Sequence, residues 1–528
     1  MEIWKEIAHN AEHGIKNLLE LTSEHKVTTA LSIVLVSLVV ILKAKRSNAI
    51  PTVNLWSVIY NMGKHPDLKT ALAHKLLEPN YKDEVLIKLT CFPIFSGYIL
   101  KNADGNKLFY SHSGLNLEKG YEWLLGNIRS KVFKEKPIKV IESVSVLTRL
   151  LKPARLSEWA GRILLPTITE KLAQQSEIDD LLSFNYNTVS TMAIRSFTEY
   201  CATPEQQQLL IEGVREADVE TMMNKNPWHM AFPNLPALVN ERERIYHKFT
   251  STLEDIIVNY VTAHKEELDS MTTKKDRDGQ DLVSCIIREA YDPITQTIQI
   301  SNAVSTTAAL LDAAVLNQYI ATVTLLIHLN AHPDIKKQVE DALQPLVRFL
   351  KDNDLLEPGR KCESIPADLV ENVDILDACL LETVRIGSTG WTFRKSTKEI
   401  VVSENRVIPN DALVLNMQGL VHFDDKINPD PYVFNPSRFL DENGKCVGGA
   451  RAPHMFSGFG LGICKLKLGK HVCTGMKFAS LQIKMLSAII LCKYDLEFAK
   501  PDYTLTSMLL GLSKPTEKVS VKLIPKAL

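Results

Sequence analysis

A mainly α fold with small β-sheets is what this 528-residue sequence predicts, and three observations carry the prediction. Long segments between residues 150 and 385 repeat apolar side chains at three- and four-residue spacing, the period of a helix face. One of them, VLNQYIATVTLLIHLN at 315–330, is apolar nearly all round and so belongs in the middle of a large core rather than on its surface. Strand-like stretches are short and few by comparison.

Taken in order, the chain opens with residues 1–26 and then VTTALSIVLVSLVVIL at 27–42, which holds no charge and is followed at once by Lys43, Lys45 and Arg46. A spanning helix needs roughly 17–25 apolar residues. This run is slightly short, but Thr and Ser at its edges and snorkelling Lys26 and Lys43 extend it to a single anchor. The basic cluster on its C-terminal side predicts a lumenal 1–26 and a cytosolic body. Residues 43–60 form a basic, proline-stiffened hinge around Asn48-Ala49-Ile50-Pro51, and 61–528 read as one catalytic domain without linker or repeat.

Within that domain RLSEWAGRILLPTITEKLAQQ (155–175) and ERERIYHKFTSTLEDIIVNYVTAHKEEL (241–268) are amphipathic helices. His332-Pro333-Asp334 ends the core helix, and DIKKQVEDALQPLVRFLKD (334–352) restarts as a further one. Strands are expected at LFYSHS (108–113), EIVVSENRVIP (399–409), VLNMQ (414–418), YDLEF (494–498) and VSVKLIP (519–525). Basic and acidic residues nearly cancel, 61 against 62, so nothing argues for a nucleic-acid partner. The nine cysteines are odd in number, scattered, and without a CxxC pair, which excludes a disulfide scaffold and a zinc ribbon.

Four features carry chemistry. KHVCTGMKFA at 470–479 sets Cys473 just before an apolar helix, where backbone N–H groups and the positive end of the helix dipole stabilise a thiolate. Gly475, two residues on, lets a flat cofactor approach the backbone closely. Glu382 and Arg385 lie one helical turn apart, and Asn435-Pro436-Ser437-Arg438-Phe439 offers a second arginine to the same carboxylate, a structural lock rather than an acid–base pair. In the long apolar helix, Ala313-Ala314 precede Val315-Leu316-Asn317-Gln318, small residues that leave room for a cofactor and for dioxygen.

In this order and spacing the features resemble the cytochrome P450 family, most closely its fungal microsomal members, from the anchor to the C-terminus. The HPDIKK segment after the long helix and GWTFRKSTKEIVVSENRVIPNDALVLNM after Glu382-x-x-Arg385 are similar to the family as well. The resemblance implies a P450-like fold holding haem b (iron protoporphyrin IX), with Cys473 as the iron ligand. It implies Lys470, Gly475, Arg162 and Arg394 beside the cofactor. It also implies a monooxygenase that takes electrons from NADPH through a flavoprotein reductase, on the endoplasmic reticulum membrane, and oxidises a small apolar molecule such as a terpenoid, steroid or polyketide in secondary metabolism. Lys465, Lys467, Lys470, Lys477 and Lys484 are the expected docking charges for the reductase.

The chain departs from the family pattern in three places. Between Phe459-Gly460-Leu461-Gly462 and the cysteine it carries an additional Ile463–Gly469, which includes Cys464. Either Leu466-Lys467-Leu468-Gly469 takes over the turn, or haem binding is impaired and the chain is a non-catalytic relic. The family's acid–threonine pair for oxygen activation falls on Leu316 and Asn317, next to Gln318. A register eleven residues earlier, close to three helical turns, offers Thr306 instead. The family's W-x-x-x-R spacing is one residue short at Trp159 and Arg162. The missing acid–threonine pair leaves a second reading open, an isomerase or dehydratase of the same cofactor that needs no reductase.

Overall fold

The computed structural model describes residues 50–60, 68–91, 95–117, 119–120, 123, 143–217, 235–273, 275–404, 406–448, 456–460, 473–506 and 511–526. The expected lumenal segment 1–26, the anchor 27–42, hinge residues 43–49, Lys470 and the Ile463–Gly469 segment with Cys464 lie outside these. The helices that position the site are α1 (Asn102–Ser111), α2 (Pro153–Trp159), α3 (Leu165–Ala173), α4 (Leu181–Phe197), α5 (Ile300–Ala313), α6 (Leu316–Ala331), α7 (Asp374–Gly387) and α8 (Met476–Lys493).

The core is a helix bundle assembled around α6. It packs against α4, α7 and α8, while α3 closes the other side of α8. Burial follows sequence: every residue of α6 from Gln318 to Ile327 is buried, as an all-round apolar pattern requires. Together α5 and α6 form the Ile300–Ala331 stretch, the helix among the described residues long and apolar enough to cross a bilayer. Most of it is buried inside the protein, so its apolarity belongs to the core.

The helix expected over 155–175 is present, with a π-bulge at Ala160–Leu164 between α2 and α3. Pro166 lies two residues past the bulge and has no N–H to give the preceding turn. Two expectations are corrected. LFYSHS is not a strand: residues 102–111 are α1, opened by Asn102 at φ 59°, whose side-chain oxygen accepts from the N–H groups of Asp104 and Gly105. That local cap outweighs the β-propensity of Leu108-Phe109-Tyr110. The amphipathic segment 334–352 is two helices, Pro333–Ala342 and Gln344–Asp352, because Pro345 starts a new first turn.

A six-stranded mixed sheet lies beside the bundle in the order Thr52–Asn54, Leu86–Cys91, Phe95–Leu100, Leu413–Met417, Trp391–Ser396, Leu115–Asn116. Its first three strands have no counterpart in the sequence expectations. The register Val414↔Arg394 sets Arg394 in the middle of the sheet. The stretch EIVVSENRVIP, expected as a strand, is two, Ile400–Ser403 and Arg406–Ile408, paired antiparallel, and Tyr494–Phe498 pairs with Val521–Pro525 at the C-terminus. A short hairpin, Leu505–Thr506 with Lys514–Pro515, returns the chain toward α6.

Candidate functional site

Cys473 sits three residues before α8, and its side chain is exposed while Phe478 and Ala479 in the helix are buried. Crowding by protein on its remaining sides pushes the thiol up, and the backbone N–H groups of Gly475 and Met476 pull it the other way. The start of α8 is fixed by an aromatic cluster. Phe478 meets Trp159 edge-on at 5.4 Å and Phe197 at 4.9 Å, and Trp159 is fully buried. The cysteine is thereby held at the end of a helix that cannot shift along its axis without breaking that cluster.

On its N-terminal side the cysteine is tied to the preceding loop, since the Cys473 N–H donates to the Phe459 carbonyl at 2.8 Å. That loop is fastened at Ser457. Its N–H donates to His422 Nε2 at 3.0 Å, and its carbonyl accepts from Gln418 Nε2 at 2.7 Å. Because Nε2 of His422 accepts, the ring proton is on Nδ1, which donates to the Arg385 carbonyl at 3.0 Å. Gly458 brings the loop against α7: a Cβ there would lie 2.3 Å from Val384 Cγ1.

Glu382, Arg385 and Arg438 come together as the spacing predicts. Arg385 grips both carboxylate oxygens of Glu382 at 2.7 and 2.9 Å, and its remaining N–H groups donate to the carbonyls of His422 and Pro431. Arg438 Nε donates to Glu382 Oε1 at 3.3 Å, and the Asn435 N–H donates to the same oxygen. Glu382 and Arg385 are buried, so both charges are compensated inside the fold.

The long helix is interrupted between α5 and α6. Ala314 N–H is shared between the carbonyls of Leu310 and Leu311, and Val315 N–H turns back to Asp312. Ala309, Ala313 and Asn317, four residues apart, stay exposed on an otherwise buried rod, which marks one open face beside the break. Asn317 Oδ1 accepts from the Leu512 N–H at 3.1 Å. Gln318 is buried and its Nε2 reaches the Ala313 carbonyl. Thr306 is buried in the unbroken part of α5, away from the interruption.

The expected cofactor-side residues fall in different places. Gly475 is the residue before α8, and a Cβ there would meet no atom within 4 Å, so the space beside the exposed sulfur is open. Arg394 is buried, with its guanidinium 4.9 Å from the Phe109 ring and Nη1 donating to the Phe393 carbonyl. Arg162 is engaged by Glu158, Glu199 and the Tyr200 hydroxyl at 2.7, 2.6 and 3.1 Å. Of the two docking lysines that are described, Lys477 is exposed. Lys484 is buried and bound to Asp377 and the Glu371 carbonyl, so it belongs to the contact between α7 and α8 rather than to the surface. His422 and Gln418 carry this geometry without any motif to announce them, and Trp159, read only beside Arg162, instead anchors α8.

An exposed sulfur flanked by N–H groups, with open space over a glycine beside it, would fit a flat macrocyclic cofactor held by a thiolate. Among the described residues no group of three or more His, Cys, Asp or Glu side chains forms a separate metal site.

Comparison with known proteins agrees with this arrangement. The Cytochrome P450 family model matches residues 153–523. Cytochrome P450 3A31 of Mesocricetus auratus is 26% identical over 203 residues, 38% of this chain and 35% of that protein. Cytochrome P450 monooxygenase cdmJ of Talaromyces verruculosus is 27% identical over 177 residues, 31% of this chain and 33% of that protein. The matched segments thus span about a third of either relative. The structure of retinoic acid bound cyanobacterial CYP120A1 superposes with a TM-score of 0.63 at 16% identity, covering 88% of this chain and 96% of that one. On the family model and the shared fold together, the chain belongs to the cytochrome P450 family, whose cofactor is haem b.

Proposed function

We propose that this protein is a haem-thiolate monooxygenase that inserts one oxygen atom of O₂ into a small apolar molecule of terpenoid, steroid or polyketide type, in secondary metabolism. Electrons come from NADPH through a flavoprotein reductase. The protein is held on the endoplasmic reticulum membrane by residues 27–42, with its catalytic domain cytosolic. The observation that carries the reading is the placement of Cys473: an exposed sulfur at the start of α8, met by two backbone N–H groups. Monooxygenase is also the activity printed in the name of the Talaromyces relative.

Haem bound here supplies an iron centre for binding and reducing dioxygen. The chain supplies the rest. Cys473 donates electron density through its thiolate, which the Gly475 and Met476 N–H groups and the α8 terminus favour. Ala309 and Ala313 keep the helix face low, so that an apolar substrate fits against it. The interruption before α6 supports Asn317, with Gln318 beside it, rather than Thr306, as the polar group at the oxygen site; its amide would hold a hydrogen-bonded proton donor there. Gly475 admits the ring, and Arg394, Arg162 and Lys470 are the cations expected beside it.

The test is a carbon monoxide difference spectrum of the reduced protein. A Soret band at the thiolate position is expected, lost in Cys473→Ser and kept in Cys464→Ser. Folded protein with no such band removes the reading, and loss in Cys464→Ser alone moves the ligand. The replacement of the acid–threonine pair by Leu316 and Asn317 favours one rival, an isomerase or dehydratase. Consumption of NADPH and O₂ coupled to product in the presence of reductase excludes that rival.

A further inference from the structure

Three stretches far apart in sequence meet where the long helix is interrupted. The Leu512 N–H donates to Asn317 Oδ1 at 3.1 Å, and the Ser513 N–H donates to the Gly387 carbonyl at 2.8 Å. The hydroxyls of Ser513 and Thr389 share a hydrogen bond at 2.7 Å. Between these two fastenings the Leu512 side chain is buried against Gly387. The turn fits Asn317 closely: Gly511 adopts φ +86°, and a Cβ on it would stand 2.8 Å from Asn317 Oδ1. Both the left-handed backbone and the close approach require glycine there.

A backbone N–H has to be met by an acceptor, so the carbonyl end of the Asn317 amide is the end that is bound. The NH₂ end is left as a donor on a side chain that is otherwise exposed, on the same face as Ala309 and Ala313. We propose that Asn317 is a two-ended positioning residue: its carbonyl latches the Gly511–Ser513 turn onto the helix interruption, and that bond fixes the amide so that its donor end faces the open stripe. The turn carrying Leu512 then becomes a fixed wall of the site. The donor half of this inference rests on the monooxygenase reading; the latch half does not.

Two substitutions separate the halves. Asn317→Asp keeps an acceptor for the Leu512 N–H and removes the donor, whereas Asn317→Ala removes both. Amide hydrogen exchange of peptides covering 511–513, in the full-length haem-loaded protein, reads the latch. Asn317→Ala should speed exchange there about fivefold, the equivalent of one lost net hydrogen bond, and Asn317→Asp should exchange like the wild type. Unchanged exchange in the alanine variant overturns the latch, and so does an aspartate variant as fast as alanine. Gly511→Ala, made independently, should speed the same peptide by crowding Asn317 Oδ1; no change there counts equally against it. The donor end is read by the fraction of NADPH electrons released as hydrogen peroxide with reductase present. Both variants should raise it at least severalfold, and an aspartate variant that leaks like the wild type overturns the donor half. Should the protein hold no haem, the exchange result still decides the latch, so that failure is distinct from failure of the oxidative reading.

Discussion

His422 joins the Glu–Arg lock to the cysteine loop through one ring, with Nδ1 on the Arg385 carbonyl and Nε2 on the Ser457 N–H. Each nitrogen has one role, so a second proton on the ring would displace Ser457. Burial, reinforced by the Arg385 charge, holds the His422 pKa down to about 3, and burial of His328 brings it to about 4, both from an ordinary 6.5. Unfolded, both rings take up a proton as pH falls through 6.5; folded, they stay neutral. The unfolded state therefore binds more protons in this window, and stability drops with pH by about 1.4 kcal/mol per unit for each ring. Urea midpoints should decline from pH 6.5 to about 4.5, and His422→Gln should flatten the slope by one proton; an unaltered slope contradicts the assignment. Nothing in the sequence marked this residue. Its partner at Ser457 is 35 positions away, and a lone histidine in GLVH reads as an ordinary core side chain. Asn317 was legible as a position in the long helix, but its bond to Leu512 spans 195 positions, and no periodicity reports such a contact.

At the level of elements, α7 is the piece whose chemistry was plainest beforehand, because Glu382 and Arg385 are neighbours on one helical turn and local spacing fixes their meeting. What spacing did not tell is how many backbone groups share the lock, including the carbonyls of His422, Asp430 and Pro431. These ties make α7 the member to which the chain before the cysteine loop is fastened. Glu382→Ala leaves Arg385 buried without its anion and should cost about 3–5 kcal/mol. Arg438→Lys gives up the longer contact to Glu382 and the bond to the Asp430 carbonyl, on a partly exposed side chain, and should cost less, about 1–3 kcal/mol. Guanidinium denaturation midpoints give the order, and a lysine variant as damaged as Glu382→Ala would place the lock at Arg438 instead. The same scale holds the misreadings. Leu108-Phe109-Tyr110 has strand composition, yet the Asn102 turn starts a helix there, and Pro345 divides a pattern that periodicity alone carries through. Periodicity measures faces; it does not see where a capping side chain or a missing N–H ends them.

For the molecule as a whole, composition and the core helix announced the fold class, because a large mainly helical body must bury at least one rod on all sides and α6 is that rod. Of the six-stranded sheet only the strand Leu413–Met417 was anticipated. Its edge strands are short and its N-terminal strands lack alternation, so pairing between residues 52 and 417 arises from the assembled fold. The proposed membrane attachment through 27–42 makes no use of the apolar α5–α6 stretch, which is mostly buried. A chain starting at residue 50 should therefore stay in the dense load fraction in membrane flotation while keeping its haem spectrum; floating with lipid would point to a second contact surface. One bond near the metal side has a consequence for how this protein can be altered. The Phe459 carbonyl and the Cys473 amide pin two ends of chain side by side, so the length spooled out between them is uncoupled from the address of the sulfur. Ile463–Gly469 roughly doubles that length, and each doubling of a free loop costs only about 0.6 kcal/mol. The neck acts as a mortise: a sequence of different length fitted between its two ends should leave Cys473 at the same address, which the carbon monoxide spectrum of a loop-length variant checks.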